Sequence, residues 1–313
     1  MLNEFDLIRR LSARLPAPPP EVVVPIGDDC AVLRLGETLW AAATDMLVEG
    51  RHFREWAAPE DVGYKAVAAN VSDVAAMGGV PRFVLASGGA SDPETTLRCM
   101  EGVLEACEEL GAYPLGGDTT GAAALTVDVA ILGQLEVAPV LRSGARLGDL
   151  LAVTGELGAS AAGLLALEGD GIGPERLVRK HLRPEPRVEA GLLAARLGAR
   201  AMIDLSDGLA SDVRHICERS GVGCRIDLGL LPIAGDTREY AVSSDRDPEV
   251  LAATCGEDYE LLVAAPEEVV EVLGSESGVP ITVIGEVTVE GVTFLRGGVP
   301  VERLSGWDHF GGA

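Results

Sequence analysis

Basic residues are scarce in this chain: 25 Lys and Arg stand against 49 Asp and Glu, for a net charge of −24. A nucleic acid or an anionic membrane is recognised through a basic footprint, so neither is an expected partner. Long apolar runs are also missing. None reaches the roughly 18 residues that a membrane helix needs. The start Met1-Leu2-Asn3-Glu4-Phe5-Asp6 has no basic segment of the kind that opens a signal peptide, so a cytoplasmic location is expected. The six cysteines (Cys30, Cys99, Cys107, Cys217, Cys224 and Cys255) show no C-x-x-C pairing or zinc spacing and read as reduced, mostly buried thiols. The four histidines, His52, His181, His215 and His309, are too scattered for a His-based metal site. No Gly-x-x-x-x-Gly-Lys-Ser/Thr loop is present, and no Gly-x-Gly-x-x-Gly opens a helix after a strand, which excludes P-loop and Rossmann nucleotide sites.

What is present suits a globular protein. The chain has 313 residues, 47% hydrophobic and 24% charged, and at roughly 100–200 residues per domain this predicts two domains. Leu7, Ile8, Leu11 and Leu15 lie at helical spacing within 3–15, and the proline stretch from Pro16 to Pro20 ends that helix. Strands are expected at Thr38–Thr44, Phe83–Ser87 and Leu125–Leu135, with helices at about 60–78 and 93–111. Ser91-Asp92-Pro93-Glu94 reads as a capping box for the second helix. The pattern pauses across Val137–Asp149, at Pro139 and Ser143-Gly144, and resumes with the apolar strand Leu150–Thr154. The expected domains are therefore 1–137 and 138–313. The second half alternates helices near 158–168, 174–182, 186–197 and 209–220 with strands near 201–204, 223–228, 259–265 and 281–287. The fold class is α/β, with mixed α+β character, and helices covering each sheet.

Aspartates recur in short clusters set in apolar or glycine-rich sequence: Gly27-Asp28-Asp29, Thr44-Asp45, Asn70-Val71-Ser72-Asp73, Gly116-Gly117-Asp118-Thr119-Thr120 and Asp204-Leu205-Ser206-Asp207-Gly208. A carboxylate beside a core is costly unless it meets a cation or strong donors. Several of them without matching Lys and Arg call for a metal, and hard oxygen ligands favour magnesium. Val62, Ala66, Ala69, Asp73 and Met77 share a helical face, so Asp73 projects among apolar residues. A structural hydrogen-bond network with Asn70 is the competing reading. Gly116-Gly117-Asp118 also suits an ordinary turn, and Ser206 or Asp207 an ordinary helix N-cap. Gly155-Glu156-Leu157-Gly158 leads from a strand into a helix, whose N-terminus can attract phosphate, although such glycines are common for conformational reasons alone.

Taken in order, these clusters together with Ile26-Gly27-Asp28-Asp29-Cys30-Ala31, Thr44-Asp45-Met46-Leu47-Val48-Glu49-Gly50-Arg51-His52-Phe53, Gly256-Glu257-Asp258-Tyr259-Glu260-Leu261 and Gly306-Trp307-Asp308-His309-Phe310 resemble the thiamine-monophosphate kinase family. The resemblance runs from about residue 4 to residue 310. The first five motifs are shared with the wider aminoimidazole ribonucleotide synthetase superfamily, whereas Gly-Glu-Asp-Tyr-Glu-Leu, the terminal Gly-Trp-Asp-His-Phe and the Glu-Gly-x-His-Phe segment point to the thiamine family.

The resemblance implies ATP-dependent phosphorylation of thiamine monophosphate to thiamine diphosphate, by direct in-line transfer with several magnesium ions. It also implies a homodimer whose N-terminal sheets pair into a shared barrel, with nucleotide in a cleft between domains. Asp29, Thr44, Asp45, Asp73, Asp118, Asp204 and Asp207 match metal positions in the family. Gly117, Asp118, Arg142 and Ser206 match nucleotide positions, and His52, Glu257 and Trp307 match positions near the thiamine substrate. One departure is Ala43, where the family often has a hydroxyl; any metal contact there would come from the backbone. The acceptor phosphate, with a second pKa of about 6, is already largely ionised at neutral pH, so no general base is expected. Magnesium would join the carboxylates to two polyanionic substrates. Trp307 would stack on the thiazolium or pyrimidine, or else pack on the core. The alternatives are another ATP-using member of the superfamily, or a non-catalytic nucleotide or thiamine-phosphate sensor.

Overall fold

The computed structural model describes residues 4–169, 173–302 and 304–307. The first unit runs α1 (Glu4–Ser12), β1 (Val22–Val24), β2 (Ala31–Leu35), β3 (Thr38–Val48), α2 (Pro59–Ala76), β4 (Val80–Ala90), α3 (Pro93–Glu109), β5 (Tyr113–Gly121) and β6 (Thr126–Leu135). The second runs β7 (Leu150–Thr154), α4 (Ala159–Glu168), α5 (Glu175–Leu182), α6 (Val188–Leu197), β8 (Ala201–Asp204), α7 (Leu209–Ser220) and β9 (Gly223–Asp227). It continues with α8 (Gly235–Ser243), α9 (Pro248–Thr254), β10 (Leu261–Ala265), α10 (Glu267–Glu276), β11 (Ile281–Thr288), β12 (Val292–Arg296) and β13 (Val299–Val301).

Each unit is built on one sheet. The first has the order β1-β2-β3-β6-β4-β5, and only its β4–β5 pair is parallel. The second has the order β13-β12-β9-β11-β7-β10-β8, and only β12–β9 is parallel. The first sheet is open rather than closed into a barrel. Strand alternation sends Leu47, Val84, Val129 and Ile131 into the core beneath α2 and α3, and leaves Met46 and Leu85 exposed on the other face.

α2 is the wedge between the units, and its sequence suits that place. Pro59 sits in the first turn beside Glu60 and Asp61, where a missing N–H costs nothing and negative charge meets the helix dipole. Every residue from Val62 to Ser72 is buried, because the helix packs on the first sheet and α3, and also on α6 and β8. The single apolar face expected for Asp73 is thus an apolar surround. Close approach to α3 depends on two glycines: a Cβ at Gly63 would lie 1.9 Å from the Cys99 carbonyl oxygen, and one at Gly102 1.9 Å from that of Glu60.

Three local expectations are corrected. α1 ends at Ser12 rather than 15, before the proline stretch. The N-cap of α3 is Asp92, whose carboxylate accepts from the Thr95 amide at 2.9 Å, so Ser91 is not the cap. Gly116-Gly117-Asp118-Thr119-Thr120 is part of edge strand β5, not a turn, with its backbone paired to β4 on one side only.

Candidate active site

Four segments converge where the two units meet. Asp29 comes from the connection between β1 and β2, Asp45 from β3, Asp73 from the last third of α2 and Asp204 from the end of β8. Carboxylate oxygens of Asp29, Asp73 and Asp204 lie within 4.8 Å of one another. One strong cation reaches them: Arg142 donates to Asp29 Oδ1 from Nη2 at 2.7 Å and from Nε at 3.2 Å, and its amide donates to Asp28 Oδ1 at 3.1 Å. Ser72 Oγ donates to Asp204 Oδ2 at 2.7 Å. Asp29 Oδ2 is buried with no partner. Asn70 does not supply the competing network, since its Nδ2 donates to the Ala66 carbonyl at 2.9 Å and its Oδ1 has no partner.

The cluster therefore holds more negative charge than its surroundings offset. Burial, and then Asp45 and Asp204, push the Asp73 carboxyl well above its usual value. Burial and Asp29 raise Asp204 to about 8, against the opposing effect of the Ser72 hydrogen bond. Asp29 is raised by burial, with Arg142 acting the other way. Three close oxygens and an orphaned one are donors of the hard, anionic type that magnesium takes, so the residues fit that ion.

A cleft of about 1060 Å³ opens over the cluster, and every predicted site residue except Gly117 and Asp118 lines it. Those two stand on exposed edge strand β5, with Asp118 Oδ1 accepting from the Thr119 amide at 2.9 Å. Thr44 lines the cleft, but its hydroxyl donates to Asp128 Oδ1 at 2.9 Å, across the face opposite to Asp45. His52 Nδ1 accepts from the Val48 amide at 3.0 Å, which fixes the ring on the turn after β3. Neither Ser206 nor Asp207 is the N-cap of α7; that position is Gly208, with φ 104° and no capping side chain. Trp307 is exposed rather than packed in the core, held by its amide donating to the Asp207 carbonyl at 2.9 Å. Asp308, His309 and Phe310 of the same motif lie outside the described residues.

The segment 256–260 is laced to 204–206. Glu257 and Tyr259 amides donate to the Ser206 and Leu205 carbonyls at 2.8 and 3.0 Å, and a Cβ at Gly256 would lie 1.9 Å from the Ser206 carbonyl oxygen. Glu257 and Tyr259 take φ values of 64° and 51°, a strained state that the surrounding bonds must hold. Asp258 accepts from the Gly158 and Ser160 amides at 2.7 and 3.2 Å. The N-terminus of α4, read from sequence as a place for phosphate, thus already carries a carboxylate.

Sequence reasoning missed several residues. Lys65 Nζ lies 2.8 Å from Glu257 Oε1, and His181 Nδ1 3.6 Å from Glu257 Oε2. Asp212 in the first turn of α7 is buried, lines the cleft and has an unpartnered Oδ2; burial and then Asp207 and Asp204 raise its carboxyl. Asp212 was legible in principle as an acid among Leu209, Val213 and Ile216. Lys65 was not, since a lysine on a helix is ordinarily a solvated one.

Comparison with known proteins places these features in a family. The AIR synthase related protein, N-terminal domain, matches residues 27–135, and the corresponding C-terminal domain matches 146–297. A thiamine-monophosphate kinase of Escherichia coli K12 is 40% identical over 329 residues, covering 98% of each chain. That of Mycobacterium tuberculosis H37Rv is 43% identical over 272 residues, covering 83% of this chain and 80% of its own. Among solved structures, AaThiL complexed with AMPPCP and TMP superposes with a TM-score of 0.86 at 36% identity, over 99% of this chain and 97% of that one. Thiamine monophosphate kinase from Aquifex aeolicus gives 0.80 at 33% identity, over 96% and 97%.

Proposed function

This chain belongs to the thiamine-monophosphate kinase family, and we propose that its cleft carries out the phosphorylation of thiamine monophosphate by ATP to give thiamine diphosphate. The observation that carries the reading is the carboxylate cluster at the seam of the two units, with three oxygens within 4.8 Å and Arg142 at its edge. Asp29, Asp45, Asp73, Asp204 and Asp207 are the residues we assign to hold magnesium. When bound, magnesium neutralises carboxylates and phosphates together and stabilises charge on the transferring phosphoryl group.

The chain's own groups do the rest. Arg142, anchored through its amide on Asp28, presents a guanidinium that can pair with a phosphate as well as with Asp29. Ser206 stands just before α7, lines the cleft and is assigned to the nucleotide. His52, Glu257 and Trp307 line the same cleft and are assigned to the thiamine moiety. The acceptor oxygen belongs to a phosphate already ionised at neutral pH, so attack needs alignment rather than proton removal.

Gly117 and Asp118 enter through a second copy of the chain. Edge strand β5 and the open sheet face with exposed Met46, Leu85 and Tyr113 are a ready pairing surface, and we assign it to a homodimer. Six free cysteines suit a reducing compartment, and we place the enzyme in the cytoplasm. Among the described residues no helix is long and apolar enough to cross a membrane.

ADP release measured with ATP and magnesium against thiamine monophosphate, thiamine and aminoimidazole precursors tests the reading. Turnover with thiamine monophosphate alone is expected. Comparable turnover of unphosphorylated thiamine would overturn the acceptor assignment, and no turnover with any of them would favour a sensor.

A further inference from the structure

In the cleft wall lies a buried polar group that the phosphoryl-transfer machinery does not use. Lys65 of α2 and His181 of α5 are 4% and 1% exposed, and both face Glu257. Lys65 Nζ lies 2.8 Å from Glu257 Oε1 and 3.4 Å from His181 Nε2, while Ser160 Oγ lies 3.0 Å from His181 Nδ1. His181 is pushed down to about 3, by burial and then by Lys65, so its ring is neutral and Nε2 is free to accept from the ammonium. The Lys65 side chain does not line the main cleft, whereas Glu257 does. Lys65 therefore comes from the first unit, meets a carboxylate of the second and has no direct path to substrate.

We propose that Lys65 is a specificity-determining positioning residue, holding the Glu257 carboxylate ionised and aimed into the cleft to receive the cationic thiamine moiety. The proposal rests on the reading of Glu257 as a thiamine-phosphate contact. Burial alone would raise Glu257, but the Lys65 ammonium outweighs it and holds the carboxyl below its usual range. The other ionisable groups facing it are His52, from the turn after β3, and Tyr259, on its own segment. An anion held by an ammonium it cannot leave, on a backbone with φ 64°, is preorganised for a cation in a way a solvated glutamate is not.

Steady-state kinetics of Lys65→Met, Glu257→Gln and the double variant, at saturating ATP and magnesium, tests this. Lys65→Met is expected to raise KM for thiamine monophosphate about tenfold, the size of one lost charge-assisted contact, with KM for ATP unchanged. That KM should climb further as pH falls, because Glu257 without its ammonium is left to the desolvation that raises its carboxyl. Glu257→Gln should raise KM without that pH dependence, and the double variant should match Glu257→Gln alone. If Lys65→Met does not fold, Lys65→Gln must show the same pH-dependent rise. Glu257→Gln with an unchanged KM would overturn the reading of Glu257 itself. A raised KM in Glu257→Gln beside a wild-type KM and pH profile in the Lys65 variant would overturn the role of Lys65.

Discussion

Asp204→Asn separates a carboxylate kept for a metal from one kept for the fold. In the metal-free protein Asp204 is raised to about 8, from a usual value of 3.8, by burial and then by Asp29. An acid raised on folding binds its proton more tightly when folded, so its stabilising contribution is full below pH 4 and declines as pH rises toward 8. At pH 7.5 that decline has a ceiling of about 5 kcal/mol for this one group. Asparagine removes the charge and keeps the shape, but weakens the 2.7 Å bond from Ser72 by about 1 kcal/mol. With relaxation of Asp29 and Asp73, a net gain of roughly 2–4 kcal/mol is expected, seen as a Tm several degrees above wild type. Calorimetry in EDTA at pH 7.5 should show that gain, and the difference should narrow toward pH 5. Magnesium with ATP should stabilise the variant less than the wild type, because a lost ligand lowers affinity for the native state, and turnover should collapse. A variant that melts lower than wild type in EDTA at pH 7.5 yet turns over normally would refute the reasoning.

Light scattering at micromolar concentration should give a mass near twice 32.5 kDa, and Leu85→Glu on the open sheet face should return it to 32.5 kDa; a wild-type monomer would remove the proposed pairing. Gly102→Val places a side chain where Cβ already lies 1.9 Å from the Glu60 carbonyl oxygen, so a loss of more than about 3 kcal/mol is expected in denaturant unfolding, and an unchanged midpoint would contradict the α2–α3 packing argument. Trp307→Ala should leave Tm unchanged, because the ring is exposed, and raise KM for thiamine monophosphate several-fold without affecting KM for ATP; a lowered Tm with normal KM would make it a packing residue instead.

The acids were legible because their cost is local: an Asp inside Val-Ser-Asp-Val-Ala-Ala needs a reason wherever the helix ends up. Asp73 was found on that ground even though the face it was assigned to does not exist as a face, α2 being buried all round between two sheets. Periodicity cannot report a second covering layer that arrives from more than a hundred residues away. The same limit hid Lys65, whose partner Glu257 lies 192 positions along the chain, and a shorter-range pairing hid β5. Glycines in Gly-Gly-Asp read as a turn, whereas at Gly117 a Cβ would sit 1.6 Å from the Ala86 carbonyl oxygen, so the residue is set by a neighbouring strand that sequence spacing does not name. The helix N-terminus at 158 was left open between phosphate and plain conformation for a related reason. Its ligand is Asp258, an acid from the same chain, and local sequence cannot distinguish an internal carboxylate from a phosphate.

The charge pattern also constrains the order in which the cleft can fill. Arg142 is the one strong cation bonded to the carboxylate cluster among the described residues, and it meets Asp29 alone through its side chain. One guanidinium cannot offset Asp29, Asp73 and Asp204 together, and at an effective dielectric of about 20 each unscreened pair of like charges at 4 Å costs about 4 kcal/mol. A nucleotide triphosphate entering this cleft without cations would add its own negative charge to a cluster whose crowding already raises Asp73 and Asp204. Under the proposed assignment, nucleotide and divalent cation would arrive together or cation first, and Arg142 would turn from Asp29 to phosphate only once something else had taken up the charge of Asp29. Under that assignment the arginine and the metal would share Asp29, which gives a chain so poor in basic residues a reason to keep a half-buried arginine at this seam.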